Sequence, residues 1–113
     1  MALAMCRALK VLCLAPDRDA LVALKNAAVS AEWELASGAT TEADAIGQID
    51  AERPQVLVVF GPFERVVSLT RGRFPAMRII TDRNTPGATV VATSLEEVRG
   101  IIRSIPRSGG PVC

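Results

Sequence analysis

The chain has 113 residues, half of them apolar, with 13 Lys and Arg against 12 Asp and Glu and no histidine. That length suits one domain, which should bury roughly two thirds of its unfolded surface. A net charge of +1 gives no electrostatic reason for a nucleic-acid partner, and the lack of histidine removes imidazole acid–base catalysis, histidine metal ligation and histidyl phosphotransfer.

The opening segment is apolar but broken by Arg7 and Lys10, so it lacks a signal core of the usual length. No stretch approaches the ~20 apolar residues of a membrane span. Leu9 to Leu14 (LKVLCL) is a short apolar run that suits a strand covered on both faces, as in a parallel sheet. Ala15-Pro16-Asp17 breaks it, and Asp17 is placed to cap a helix whose apolar face is Leu21, Leu24 and Ala28 with the flanking Val22 and Val29. Glu32 to Ala36 (EWELA) alternates as a half-buried edge strand does, and Ser37-Gly38 ends it. Thr41-Glu42-Ala43-Asp44 resembles a capping box with Asp in place of Glu. A second helix follows with the stripe Ala45, Ile46 and Ile49, stopped by Pro54.

Val56 to Phe60 (VLVVF) has no polar residue and reads as the central strand. After the Gly61-Pro62 turn, Phe63 to Phe74 reads as a third helix, weakened at Gly72. Met77 to Thr81 (MRIIT) is a fourth strand and Thr89 to Ala92 (TVVA) a fifth, with the type II turn signature Thr85-Pro86-Gly87-Ala88 between them. Ser94-Leu95-Glu96-Glu97 is a capping box for a last helix carrying Val98, Ile101, Ile102 and Ile105, ended by Pro106. Residues 1–106 form the expected domain, and 107–113 a flexible tail. Strands alternating with helices predict an α/β fold, a mostly parallel sheet with helices on both faces.

This pattern resembles the response-regulator receiver family over residues 9–105. ERPQVLVVF looks like the stretch leading to a receiver's phosphoacceptor, and PGATVVATSLEEVRGIIRSI like its last strand and helix. The resemblance implies a flavodoxin-like, three-layer α/β/α fold with strand order 2-1-3-4-5. It also implies that the phosphorylation chemistry has gone, as in the pseudo-receiver domains of bacterial clock and pilus-localisation proteins. Ala15 and Pro16 stand where a receiver keeps its metal-binding acids, and Phe60 stands where the acceptor Asp belongs. Ser94, or its neighbour Thr93, takes the place of the lysine, and Val91 that of the aromatic switch residue. Only the hydroxyl after strand four survives, as Thr81, for which turn or cap bonding is the plain alternative. Aspartyl phosphorylation needs a carboxylate nucleophile and a magnesium ion on oxygen ligands, and these positions supply neither.

About seven residues join the fourth and fifth strands, where a parallel crossover normally takes a dozen or more. The receiver's fourth helix is therefore missing or replaced by a loop. Either an extended loop keeps strand five parallel, which the flanking motifs favour, or the two strands form a hairpin about Pro86-Gly87. Loss of the helix leaves a sheet edge that needs cover, by a protein partner or by a second copy of the chain through the strand 4–strand 5/last-helix face.

Other residues have competing readings. Three cysteines (Cys6, Cys13 and Cys113) match no zinc spacing and fit a reduced, cytoplasmic protein. Cys13 lies where some phosphatases place a nucleophile, but Arg18 is five residues on rather than six, and no glycines shape a phosphate loop. A buried structural cysteine is the expectation. Asp17 and Asp19 are better explained by helix capping and first-turn placement than by a cation. Arg99, Arg103 and Arg107 recur every four residues, as a docking stripe or as solvated surface near a helix C-terminus. Arg71 and Arg73 share that ambiguity, and Trp33 is core or an interface anchor. The resulting expectation is a non-catalytic, phosphorylation-independent receiver-like module for protein–protein interaction in signalling or protein localisation, with no metal, cofactor, nucleic-acid partner or membrane insertion. The alternatives are a small α/β enzyme or phosphocarrier using Cys13, and a working receiver with a different register whose acceptor is Asp17 or Asp82.

Overall fold

The structure is a computed structural model describing residues 9–31 and 33–105. In chain order it runs β1 (Leu9–Leu14), α1 (Arg18–Ala28), β2 (Trp33–Leu35), α2 (Glu42–Glu52), β3 (Val56–Val59), α3 (Glu64–Arg73), β4 (Arg78–Thr81), β5 (Val90–Val91) and α4 (Leu95–Ser104). The strands form one sheet in the order β2-β1-β3-β4-β5. Every pairing is parallel, with Cys13 beside Val58, Val58 beside Ile80 and Ile80 beside Val90.

The period of two along each strand divides the core. Val11, Cys13, Val56, Val58 and Ile80 face one side and pack with Leu24 and Ala28 of α1 and Val98 and Ile102 of α4, whereas Val22 and Val29, expected on the apolar face of α1, lie outside this core and are exposed. Leu12, Leu14, Leu57, Val59 and Ile79 face the other side and pack with Ala45 and Ile49 of α2 and Val66 and Val67 of α3. Strands buried on both faces need no polar side, which is why VLVV is wholly apolar and wholly buried.

Caps set the helix starts. The Asp17 carboxylate accepts the Ala20 N–H at 2.8 Å, and Thr41 Oγ1 accepts the Asp44 N–H at 3.2 Å. Ser94 stands at the N-cap of α4, but its side chain makes no cap bond. Glu97 instead reaches back one residue further than a capping box requires, accepting the Thr93 N–H and the Thr93 hydroxyl, each at 2.8 Å. At the other end of α2, Arg53 takes the left-handed conformation (φ 50°) just before Pro54. Gly72 does not interrupt α3, and a side chain there would meet nothing within 4 Å. Trp33 is core: it is buried, and its indole N–H donates to the Ala28 carbonyl at 2.7 Å.

The parallel arrangement of β4 and β5 settles the crossover in favour of a loop, residues 82–89, with no helix in it. The expected turn forms: Gly87 has φ +97°, and the Ala88 N–H donates to the Thr85 carbonyl at 3.0 Å. Arg71, at the end of α3, holds this loop. Its Nε and Nη2 donate to the Gly87 carbonyl at 3.0 and 2.8 Å, Nη2 also reaches Thr89 Oγ1 at 2.9 Å, and Nη1 donates to the Pro75 carbonyl at 2.7 Å. A planar guanidinium fork can bind several acceptors at once, so one side chain takes over part of what a packed helix would do.

Candidate functional site

In an open α/β sheet, ligands bind outside the C-terminal ends of the strands. Here that rim is made by the turns after β1, β3, β4 and β5. Ala15 is fully buried, and Pro16 carries no donor. Gly61 has φ +116°, and an added Cβ there would lie 3.0 Å from Pro16 Cδ and 3.1 Å from the Phe63 ring. The turns after β1 and β3 are thus closed onto each other by apolar contact, with Pro16 and the Phe63 ring against Gly61. Phe60 N–H donates to the Leu14 carbonyl at 2.8 Å, while its side chain packs half-buried against the α1/α4 core. A ring placed in the core neither attacks a phosphoryl group nor ligates a cation.

Thr81, Thr85 and Asp82 at the rim are bonded internally. The Thr81 hydroxyl donates to the Arg83 carbonyl at 2.6 Å, and the Thr85 hydroxyl donates to the same oxygen at 3.2 Å. Thr81 thereby fixes the start of the loop, the capping role expected as its plain alternative. Asp82 is gripped in bidentate fashion by Arg83, at 3.0 and 3.1 Å. Partial burial pushes its carboxyl up, but bonds from the Arg83 guanidinium and the Gly61 amide outweigh this and hold it below the usual carboxylate range. Asp17 is engaged as the α1 cap. The bonds from the Thr93 amide and hydroxyl hold the Glu97 carboxyl low as well. Among the described residues, no three Cys, Asp or Glu side chains cluster as metal ligands would.

Cys13 belongs to the core of β1, with no exposed surface. Burial pushes its thiol up to about 12, with a small opposing pull from Lys25. A catalytic or carrier cysteine needs an exposed thiolate, and the buried Cys13 thiol does not offer one. The arginine stripe is not uniform. Arg99 lies back on α1, where Nη2 donates to the Asn26 carbonyl at 3.1 Å, whereas Arg103 is exposed and Arg107 lies outside the described residues. Arg73 pairs with Asp50 at 2.7 Å and stands over the Phe74 ring. Val91 is paired with Thr81 in the sheet, so it faces the side from which a helix is missing, and it is 38% exposed.

No protein-family profile matches the chain, and no curated protein matches it in sequence. Solved structures do match in shape. The response regulator domain of CheB from Thermotoga maritima superposes with a TM-score of 0.68 at 13% identity, over 86% of this chain and 92% of that one. The isolated REC domain of RcsB from Salmonella enterica serovar Typhimurium, solved with the phosphomimetic BeF3-, gives 0.69 at 13% identity, over 87% and 88%. An orphan response regulator of H. pylori gives 0.68 at 12% identity, over 87% and 97%. This is the receiver fold. Identities this low carry the fold alone, so what this chain does follows from its own residues. Pro16, Phe60, Thr81 and Ser94 lie at or after the ends of β1, β3, β4 and β5, at one end of the sheet. Sequence reasoning missed the Gly61–Asp82–Arg83 contact and the anchoring role of Arg71. An adjacent Asp-Arg pair just after a strand was the available signal for the first, while the second joins residues 16 and 18 positions apart. Among the described residues, no helix is long and apolar enough to cross a membrane.

Proposed function

We propose that this receiver-like domain is non-catalytic and phosphorylation-independent, and that it acts in the cytoplasm as a protein–protein interaction module in signalling or protein localisation. The observation that carries this reading is the packing of Pro16 and Phe63 against Gly61 beside the half-buried Phe60. It puts apolar contact where phosphoryl transfer needs a carboxylate and a cation. The internal bonding of Thr81 and Asp82 supports the same reading. Asp82 as an alternative acceptor would have to leave a bidentate Arg83 pair and the Gly61 amide.

The face offered to a partner is the β5 edge together with α4. Val90 and Val91 are both exposed on a strand whose outer edge has no neighbour among the described residues, and open edges invite pairing. Val91 and Arg103, with Arg99 at the α1 side and Arg107 beyond, are the contacts proposed for a protein partner or a second copy of the chain. The test is a backbone amide NMR titration with magnesium and beryllofluoride. No shifts at residues 15–17, 60–62 and 81 is the expected result; saturable shifts there would establish a working acceptor site and overturn the proposal.

A further inference from the structure

The helix absent between β4 and β5 leaves an open cleft of about 370 Å³ at the start of β4, lined by Arg71, Pro75, Ala76, Met77, Arg78 and Thr89. Two of these six residues are arginines and none is acidic. Arg71 is immobilised, yet all its described bonds go to two carbonyls and a hydroxyl, so its positive charge is solvated by dipoles and not neutralised. Four of its five N–H groups suffice for those bonds. Arg78 is exposed. Among the described residues neither arginine is in an ion pair, although Arg65, Arg73 and Arg83 each have one. Uncompensated positive charge in a concave site attracts an anion and speeds its arrival.

We propose that this cleft receives a carboxylate side chain from an acidic segment of a partner protein, with Arg78 as the principal contact and Arg71 as a fixed positive wall. This rests on the interaction reading above and adds to it a second face, distinct from the β5 edge with α4. A carboxylate suits the site better than a phosphate. Four of the Arg71 N–H groups are already taken by the Gly87 and Pro75 carbonyls and Thr89, which leaves Arg78 as the cleft's main donor. A planar carboxylate needs only one guanidinium face. Pro75 and Ala76, both exposed, give the adjoining peptide an apolar shelf.

The experiment is an amide NMR titration of the full chain at low salt with a hexaglutamate peptide, with a hexaglutamine peptide and with inorganic phosphate. The expected result is saturable shifts at residues 71, 76–78 and 89 with hexaglutamate alone, weakened about fivefold by Arg78→Ala, as loss of one exposed ion pair implies. Arg78 is exposed, so that variant should fold, and an unchanged spectrum elsewhere checks it. Three results would overturn the proposal: no shifts with hexaglutamate, shifts indifferent to Arg78→Ala, or phosphate binding at least as tightly. The beryllofluoride titration is independent, so a silent cleft with no beryllofluoride response refutes the acidic-segment proposal and leaves the non-catalytic reading standing.

Discussion

Replacing Arg71 with alanine should loosen the β4–β5 crossover before the rest of the sheet. The guanidinium binds the part-buried Gly87 carbonyl twice and reaches Pro75 O and Thr89 Oγ1 nearer the surface. A hydrogen bond involving a charged group contributes about 1.5–3 kcal/mol. Counting the Gly87 interaction once at that value and discounting the two exposed bonds to under about 1 kcal/mol together gives a loss of about 3 kcal/mol. For a domain of this length that corresponds to a fall in Tm of roughly 10 °C. The local signature should be sharper than the global one. The Thr89 N–H donates to Ile79 O at 2.7 Å and the Ala92 N–H to Thr81 O at 2.8 Å, and both lie just beyond the anchored turn. Their hydrogen-exchange protection should drop by more than that of Cys13 or Val58 amides in the central strands. Arg71→Lys should recover less than half of the stability, because an ammonium lacks the planar fork. Urea denaturation with exchange measured by NMR tests this. A loss below about 1 kcal/mol, a uniform loss of protection, or full rescue by lysine would refute the view that Arg71 substitutes for the missing helix.

Phe60→Asp places a carboxylate after β3 but supplies no cation site, so on the proposed reading incubation with acetyl phosphate and Mg2+ should yield no phosphoryl adduct by mass spectrometry. The same change should cost about 1–3 kcal/mol of stability from lost apolar burial. In a Cys6→Ser, Cys113→Ser background, Cys13 should be alkylated only through unfolding. In the folded state its thiol stays protonated until about pH 12, so the rate should follow denaturant concentration and carry the pH dependence of the unfolded chain's ordinary thiol, with no labelling of the folded state. Rapid labelling of the folded protein would restore the nucleophile reading. Gly61→Ala should cost about 1–3 kcal/mol, since φ is +116° and the new Cβ would meet Pro16 Cδ at 3.0 Å; a neutral result in thermal denaturation would show that the rim can open. The Asp82 carboxyl is held below its ordinary value in the folded state, so its contribution is present above about pH 4 and lost as pH falls through the folded value. The stability advantage of the native chain over Asp82→Asn should therefore be constant near neutrality and shrink below about pH 4, and a pH-independent difference would exclude the ionised pair as its cause.

Hydrophobic period and turn chemistry determined much about this protein without any tertiary information. LKVLCL and VLVV had to be covered on both faces, so a parallel sheet with helices on each side followed, and Asp17, Thr41 and the Pro86-Gly87 turn marked element boundaries where the structure has them. Ala15, Pro16 and Phe60 carry no carboxylate, and that much the residue types state without any tertiary information. Local signals were less decisive where two arrangements satisfied the same pattern. Seven residues and a type II turn fit a hairpin as well as a parallel crossover, and the pairing of Ile80 with Val90 and Thr81 with Val91 decided between them. The Ser94 box looked complete in sequence, yet Glu97 found its partners at Thr93, because a cap depends on the backbone path into the helix. Arg99 and Arg71 were legible only as basic residues near helix C-termini. Contacts with Asn26 and Gly87 turned one toward α1 and made the other an anchor, and such long-range pairings exist only once the helices are packed on the sheet.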